Sequence, residues 1–474
     1  MIRPPARDAL IGAERHGLEL LLDLARLPAV EDEAADVVRL DIVERDCGDP
    51  DLKACIAHGW HFEPADGVVR VPRGVLRLVT AVAGATAEQD SAARDRYGRV
   101  PATTNALVQA GLETEPVVSR AALRLRDAVL ASAGRRQVSL VAPWPRGKRW
   151  AAVFTHDLDV VAYWPLFTLR RLAELARKAE LTRCARTGLA ALAAVGRDPV
   201  GQGVRGVLDT ERAQAVISTW FVLCGTPTLA TMRAGDLTYA PESRAATRII
   251  QELVEHGCEI GLHGSFATSD RGELFGEQRM RLEGVTGRPV HGVRQHFLRT
   301  RPGVTEHAMR AAGFRYDATS GFADRNGFRL GVADVVPAWD AAAERSIGLD
   351  EVPLCWMDRA LSKYRSIEDP TTWIAEGVAL ARACREVEGL WVGVWHPNLT
   401  PPLGFPGAPA AYRSLVDQLT AQDPFVAPLS DVVAWRVARR GIRIRRVGSD
   451  GRLEAHTTAP LPAPPVLEDP TGRM

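Results

Sequence analysis

The stretch "AAVFTHDLDVV", Ala151 to Val161, joins an apolar run to a cluster of ionisable side chains. Its first four residues are apolar and typical of a buried β-strand. Directly after them come one histidine and two carboxylates, at His156, Asp157 and Asp159. Ionisable side chains at the end of a buried strand are typical of a functional site in a parallel sheet. The stretch therefore predicts both a central strand and the start of a site.

Strand-like and helical segments alternate along the chain that follows this stretch. Apolar runs such as "VISTWFVLCG", "CEIGLHGS" and "LWVGVWHPN" are separated by amphipathic segments such as "ATRIIQELVEHG". Alternating strands and helices indicate parallel strands joined by right-handed crossovers. We predict an α/β protein whose (β/α) barrel is irregular and has about seven strands, with an α+β accessory region before it.

Proline, glycine and basic residues in "PWPRGKRW", Pro143 to Trp150, predict a domain boundary. The predicted division is an N-terminal α+β accessory domain over residues 1–148 and a barrel over residues 149–446. Residues 447–474 are polar and rich in proline, which predicts a disordered tail. The role of residues 1–148 stays open between a lid, a substrate-recognition domain and an extra sheet packed on the barrel.

The overall composition excludes several classes of protein. The formal net charge of +1 over 474 residues gives no general attraction to nucleic acid or membrane. Seven cysteines without a CxxC spacing argue against a disulfide framework and a structural zinc site. We find no signal peptide and no apolar run of about 18 residues, so we expect a cytoplasmic protein without a transmembrane segment.

One segment leaves peripheral membrane contact open. The amphipathic stretch "LFTLRRLAELARKAELTRCARTGLAALAAVG" carries six basic residues, which an anionic membrane surface could attract. The alternative, which we favour, is a packed helix with a solvated basic face. The oligomeric state is not indicated by the sequence.

Polar residues recur where the apolar strand runs end: Asp157, Asp159, His263, Arg294, His296, Asp317 and His396. The carboxyl ends of parallel strands meet at one rim of a barrel, so we expect these side chains to converge. Carboxylate and imidazole ligands suit a divalent metal such as zinc, and catalytic zinc sites use three protein ligands. A further carboxylate can act as general base, an arginine can keep it ionised, and a histidine can protonate the leaving group. This set predicts metal-assisted hydrolysis.

The segment from Ala151 to about Pro401, roughly half the chain, resembles the polysaccharide deacetylases with NodB homology, carbohydrate esterase family 4. Five motifs occur in the family's order: "THDLD", "HGCEIGLHGS", "GVRQHF", "RYDATSGF" and "VGVWHP". The forms THDxD, GLHGS and RQH indicate a divergent branch.

The resemblance implies a catalytic role for five residues. Asp157 matches the general base, and Arg294 matches the arginine that orients it. The backbone N–H of Phe297 matches the oxyanion donor. His396 matches the general acid, and Asp317 stands where the fourth motif supplies a pocket carboxylate.

The resemblance implies Asp159 and His263 as metal ligands, but the family's second metal histidine is absent. That histidine would stand four residues after His263, where this chain has Ala267. We favour His296 as the third ligand because it follows a strand end on the same rim. Period-two alternation points His156 away from the face of Asp159. The candidates for the third ligand are thus His296, His156 and Ser265.

The function predicted from these features is a metal-dependent hydrolase of carbon–nitrogen bonds other than peptide bonds. In its most specific form it is a deacetylase that removes N-acetyl groups from an amino sugar of a polysaccharide or glycan precursor. We expect zinc, with cobalt or manganese as alternatives, and a carbohydrate substrate. Hydrolysis of another amide bond on the same barrel and a non-catalytic glycan-binding pseudoenzyme remain as alternatives.

Overall fold

The computed structural model describes residues 2–5, 9–30, 37–45, 52–54, 56, 60–136, 138–161, 164–226, 228, 236, 238–447, 452–457 and 466–470. Five cysteines of this part are free thiols, and four of them are buried. Cys47 and Cys55 lie outside the described residues. Among the described helices, none has the length and apolar character needed to cross a bilayer.

Nineteen strands occur in this part of the chain. They are β1 (Ile2–Arg3), β2 (Ala29–Val30), β3 (Val38–Val43), β4 (Glu63–Ala65), β5 (Val68–Pro72), β6 (Leu140–Val141), β7 (Ala151–Leu158), β8 (Thr219–Cys224), β9 (Glu259–Gly264), β10 (Gly292–Gln295), β11 (Tyr316–Asp317), β12 (Val336–Asp340), β13 (Arg345–Glu351), β14 (Trp356–Met357), β15 (Leu390–Trp395), β16 (Phe425–Val426), β17 (Arg443–Val447), β18 (Arg452–His456) and β19 (Leu467–Glu468).

The longer α-helices mostly separate these strands. They are α1 (Gly12–Leu24), α2 (Arg73–Ala83), α3 (Val117–Ser132), α4 (Trp164–Arg177), α5 (Leu181–Ala193), α6 (Pro199–Ala213), α7 (Arg244–Glu255), α8 (Leu274–Thr286), α9 (Thr305–Ala311), α10 (Pro370–Glu386), α11 (Ala408–Thr420) and α12 (Leu429–Arg440). Shorter helical turns span Leu52–Ala54, Thr86–Gln89, Ala102–Thr104, Ala106–Gln109, Pro145–Gly147, Phe266–Ser269, His296–Leu298, Ala360–Tyr364 and Pro401–Leu403.

The main sheet has the order β12-β13-β11-β10-β9-β8-β7-β15-β14, with β16 beside the start of β7. Every neighbouring pair is parallel except β12 with β13. The predicted α/β class is confirmed, and the seven predicted strands are β7, β8, β9, β10, β11, β13 and β15. The additional strands β12, β14 and β16 have five residues at most.

Strand pairing does not close this sheet into a complete barrel. Its edges are the β12–β13 pair on one side and β14 on the other. Residues 352–355 link β13 to β14, and their backbone reaches both sides: Leu354 N–H donates to Ser320 O, and Cys355 N–H donates to Val392 O. A short irregular segment therefore bridges the gap that a further strand would fill, which gives an irregular barrel.

The side chains of β7 lie alternately on the two sides of the main sheet. All eight of its residues are buried. Ala152 and Phe154 pack in the cluster formed with the outer helices, whereas Val153 packs with Phe221 and Val392 in a second cluster. Because side chains alternate along a strand, Asp157 shares the side of Val153. The side of the sheet on which Asp157 lies is therefore the interior of the barrel.

A second sheet, of seven strands, has the order β18-β17-β2-β1-β3-β5-β4. It combines the first strands of the chain with β17 and β18, which follow the last helix of the barrel. Ala29 of β2 is aligned with Arg443 of the parallel strand β17. The N-terminal sheet is therefore completed by residues that the sequence analysis had assigned to the barrel and the tail.

The predicted disordered tail, residues 447–474, is wrong for two stretches. Strand β18 pairs antiparallel with β17, and β19 pairs antiparallel with β6. These strands are held by backbone hydrogen bonds, which need little apolar burial, and composition alone does not reveal them. Apart from residues 447, 452–457 and 466–470, the tail lies outside the described residues.

Helices α1 and α12 are joined by a buried ionic cluster around Asp23. Its carboxylate pairs with Arg436 at 3.1 Å, Arg439 at 3.3 Å and Arg440 at 3.1 Å. Burial alone would raise the pKa of Asp23, but these arginines lower that pKa to about 2. The N-terminal region is thus fixed to the last helix of the barrel by an ionised carboxylate.

Candidate metal centre and catalytic pocket

The ends of five strands contribute side chains to one cavity at the rim of the main sheet. Strand register brings them together, because Arg294 of β10 aligns with His263 of β9, and Asp157 of β7 aligns with Phe221 of β8. Five of the predicted ionisable side chains line this cavity: Asp157, Asp159, His263, His296 and His396.

Three of them form a candidate metal centre. Donor atoms of Asp159, His263 and His296 all lie within 4.8 Å of one another. The Oδ1 atom of Asp159 is 3.2 Å from His263 Nε2 and 3.6 Å from His296 Nε2. This buried oxygen has no hydrogen-bond partner with acceptable geometry. One carboxylate and two imidazoles facing a shared point fit a divalent metal such as zinc.

Partners on the far side of each ring fix how the two histidines face that point. His263 Nδ1 lies 2.8 Å from the carbonyl oxygen of Arg294, which requires Nδ1 to donate and leaves Nε2 as the free ligand atom. His296 Nδ1 lies 3.3 Å from Oδ1 of the fully buried Asp236. Outer partners of this kind orient metal-binding imidazoles in known metal sites.

Charge around Asp159 keeps its carboxylate ionised. Burial would raise the pKa of Asp159, but His296 and His263 lower it well below its usual range. For a metal ligand this is the required state, since carboxylates bind metals as anions.

The carboxylate of Asp157 is held by Arg294 beside the metal centre. Arg294 Nη1 donates to Asp157 Oδ1 at 2.8 Å and to Thr155 Oγ1 at 2.9 Å, and its Nε donates to the carbonyl of Ala318 at 2.9 Å. The guanidinium also lies over the ring of Phe221. Burial opposes ionisation of Asp157, but Arg294 lowers the pKa of its carboxyl below the usual value.

His396 faces the same centre and is oriented by Asp358. Its Nδ1 lies 2.6 Å from Asp358 Oδ1, and its backbone N–H donates to Asp358 Oδ2 at 2.7 Å. Its Nε2 is 3.6 Å from Asp159 Oδ2 and 4.0 Å from Asp157 Oδ2. Burial lowers the pKa of His396, but the Asp358 carboxylate outweighs it, so the pKa is raised above the usual value.

The other two candidates for the third ligand point elsewhere. His156 Nε2 lies 2.8 Å from Glu211 Oε1 on the helix side of β7, as alternation predicts for the residue before Asp157. Ser265 Oγ accepts a hydrogen bond from Gln278 Nε2 at 2.7 Å. Of the three candidates, the structure brings His296 together with Asp159 and His263.

Asp317 is not among the residues that line this cavity. It is fully buried, and its Oδ1 accepts hydrogen bonds from the backbone N–H and the hydroxyl of Thr319. Burial raises the pKa of Asp317 to about 7. Its register neighbour on β13 is Glu351, and the two form a second buried carboxylate environment.

The N-terminal region supplies part of the cavity wall through Arg99. Its Nη1 donates to the carbonyl oxygen of Phe297 at 2.9 Å and to the hydroxyl of Tyr364 at 3.1 Å. Tyr97 stacks on the ring of Phe297 at 5.1 Å between centroids. Phe297 has a left-handed backbone, with φ of 61°. The turn predicted to supply the oxyanion donor is therefore buttressed by the accessory region.

Sequence reasoning missed three kinds of residue at this site. Asp358 follows the two-residue strand β14, so the strand-end signal existed but the run was too short to recognise. Asp236 belongs to no described helix or strand, and Arg99 comes from the accessory region. Neither of these two carries a local sequence signal.

No family model matches the chain, and no curated protein does either. The chain is similar to solved structures of carbohydrate esterase family 4. A Mycobacterium smegmatis protein named as a candidate polysaccharide deacetylase is 25% identical, with a TM-score of 0.40 over 61% of this chain and 90% of that one. A chitin deacetylase from the fungal pathogen Colletotrichum lindemuthianum is 11% identical, with a TM-score of 0.31 over 60% and 86%. A family pseudoenzyme from Bacillus anthracis is 10% identical, with a TM-score of 0.27 over 60% and 65%.

Proposed function

We propose that this chain is a metal-dependent hydrolase that removes N-acetyl groups from an amino sugar of a glycan or glycan precursor. The observation that carries the proposal is the convergence of Asp159, His263 and His296 beside an arginine-bound Asp157 and an aspartate-bound His396. A glycan-binding module needs no such pairing of an ionised carboxylate with an oriented imidazole.

Asp159, His263 and His296 would hold the metal. A divalent metal in such a site acts as a Lewis acid and lowers the pKa of water to about 7 in favourable cases. Asp157, kept ionised by Arg294, accepts the proton of the attacking water. The backbone N–H of Phe297 stabilises the negative charge that develops on the acyl oxygen.

His396 completes the reaction by protonating the leaving amine. Its Nδ1–H is committed to Asp358, so Nε2 is the atom that delivers the proton across the cavity. Without that proton the amine would have to leave as an anion, which is far too basic a leaving group. The amide class and the N-acetyl sugar rest on the motif resemblance, and zinc rests on the carboxylate and imidazole donors. A cytoplasmic substrate is part of the same proposal.

The test combines metal content with acetate release. Wild-type protein and His296→Ala are dialysed with zinc, freed of excess metal and assayed for bound zinc and for acetate released from N-acetylated chito-oligosaccharides. We expect about one zinc per wild-type chain, and loss of both zinc and activity in His296→Ala. His307→Ala is the matched control, because His307 is 45% exposed and pairs with Asp340 away from the cavity.

Two outcomes would contradict the proposal. Stoichiometric zinc in a folded His296→Ala variant would remove His296 from the ligand set. Sugar binding without acetate release, for wild-type protein with zinc, cobalt or manganese, would identify a non-catalytic glycan-binding protein. Release of acyl groups from amides other than N-acetyl sugars would keep the metal centre and change the substrate.

A further inference from the structure

Three cationic side chains line the wall of the catalytic cavity: Arg99, Arg359 and Lys363. Arg359 and Lys363 lie at and just after the end of β14, next to the Asp358 that orients His396. Arg99 comes from the accessory region. Only two carboxylates line the same cavity, Asp157 and Asp159.

Both of these carboxylates are already committed. Asp157 is paired with Arg294, which lies behind the cavity. Asp159 faces two imidazoles and would be neutralised by the metal. Arg99 pairs with Asp95 at 2.6 Å, and Arg359 is attracted by Asp358 and Asp159 without a direct ion pair to either among the described residues.

Arg359 and Lys363 form no ion pair or hydrogen bond with any residue that the structure describes. The Nη1 atom of Arg359 is buried without a hydrogen-bond partner. Lys363 Nζ lies over the rings of Tyr97, Phe297 and Tyr364, at 5.2, 5.1 and 5.2 Å. An unpartnered buried guanidinium nitrogen is costly, which indicates that a ligand supplies the missing acceptor.

The pKa of Lys363 supports the same conclusion. Burial, and then the neighbouring charges of Arg359 and Arg99, lower this pKa to about 7. Arg359 and Arg99 repel the Lys363 ammonium more than Asp159 attracts it, and a bound anion would relieve that repulsion.

We infer that this cavity binds a substrate carrying an oxyanion, a phosphoryl or carboxylate group, on Arg359 and Lys363. The inference rests on the proposed function, because it assigns a charged group to the amino-sugar substrate of that reaction. A guanidinium fork and an ammonium match the oxygens of either group, and two cations favour the more highly charged phosphoryl group.

The test compares two probes that differ by one phosphoryl group, N-acetylglucosamine and N-acetylglucosamine 1-phosphate. Their dissociation constants are measured by calorimetry on chelator-treated and zinc-loaded protein. We expect the phosphorylated sugar to bind at least tenfold more tightly in both forms. Arg359→Gln and Lys363→Gln should each reduce this preference about tenfold and raise KM more than they lower kcat, because they remove binding rather than chemistry.

The matched control is Arg365→Gln. The Arg365 side chain pairs with Glu376 and is not among the residues that line the cavity. It should keep the full preference. N-acetylmuramic acid, which carries a carboxylate, separates the two oxyanion classes. Thermal melting identifies any variant that fails to fold. If Arg359→Gln or Lys363→Gln does not fold, the other variant decides whether the preference depends on this subsite.

The two proposals fail in different ways. Equal affinity for the charged and neutral sugars, or a preference that survives both substitutions, would overturn this inference even if acetate is released. A preference that depends on Arg359 and Lys363, without turnover by any metal-loaded form, would sustain the subsite and overturn only the hydrolase.

Discussion

Two groups of buried carboxyl groups at the main sheet and the helix α9 differ in their ionisation. At the catalytic rim, Asp157 and Asp159 face Arg294 and histidines, and the pKa of each carboxyl is lowered. A few strands away lies the acidic cluster, defined as Glu306, Asp317 and Glu351. There burial raises the pKa of Glu306 to about 8 and that of Asp317 to about 7.

The difference lies in the partners, because both groups are buried. In the acidic cluster the Oε2 of Glu306 and the Oδ2 of Asp317 have no hydrogen-bond partner, and the mutual repulsion of the carboxylates adds to the effect of burial on Glu351. A carboxyl group in an apolar interior is therefore a base or ligand only where the fold places a cation beside it. At neutral pH the protonated form of Glu306 is favoured, whereas the carboxyl groups of Asp157 and Asp159 stay ionised.

The largest effect is expected from Asp157→Asn, which removes the ionised carboxylate and keeps its shape. Acetate release should fall by about 10²–10⁴-fold, the usual contribution of a general base. Zinc content should stay at the wild-type level, because Asp157 is not in the proposed ligand set. If the variant keeps activity within a factor of a few of wild type, Asp157 is not the general base.

Replacing Arg294 by Gln should leave the buried Asp157 without its cation, so that its carboxyl pKa rises as in the acidic cluster. Loss of the guanidinium should raise the pKa of Asp157, because Arg294 is the largest of the charges that lower it. Since the base works deprotonated, the acid limb of the pH profile of kcat/KM should move to higher pH. Arg294→Lys, which keeps the charge, should move it less. An unmoved acid limb would show that Arg294 does not set the ionisation of Asp157.

Asp358→Asn changes the general acid instead of the base. The raised pKa of His396 depends on Asp358, so the substitution should lower that pKa. The acid works protonated, and the alkaline limb of the kcat/KM profile should therefore move to lower pH. A profile in which only the acid limb moves would contradict the assigned roles.

The smallest effect is expected from Glu306→Gln, measured as free energy of unfolding against pH. Because the folded-state pKa of Glu306 is about 8, the folded chain binds more protons than the unfolded chain between pH 4.5 and pH 8. Wild-type stability should therefore fall as the pH rises through this range. The variant should lack this loss and gain about 1–2 kcal/mol over wild type between pH 6 and pH 8.5.

Glu277→Gln, at an exposed position of α8, is the control and should follow the wild-type curve. If the Glu306→Gln curve runs parallel to that of wild type, Glu306 is ionised in the folded protein and the comparison between the two carboxylate groups fails.

The rim was predictable from the sequence because each of its residues follows a recognisable apolar strand. Alternation along β7 separated Asp157 from His156, and the structure follows that assignment. The acidic cluster was not predictable, because its repulsion depends on which strands become neighbours: Asp317 and Glu351 are 34 positions apart and meet only through the pairing of β11 with β13. The N-terminal sheet was not predictable for the same reason, since β2 and β17 become neighbours only in the finished fold.

That pairing of β2 with β17 also sets an order of events during synthesis. Arg26 donates a hydrogen bond to Glu468, which is 442 residues away in the sequence. Ala29 pairs with Arg443, which follows the barrel strands in the sequence. Contacts this distant are slow to form, and domains emerging from the ribosome fold as their strands become available. While the barrel strands are being made, the edge of β2 lacks its partner and is open to other strand edges. The accessory region is thus synthesised before the barrel and completed after it.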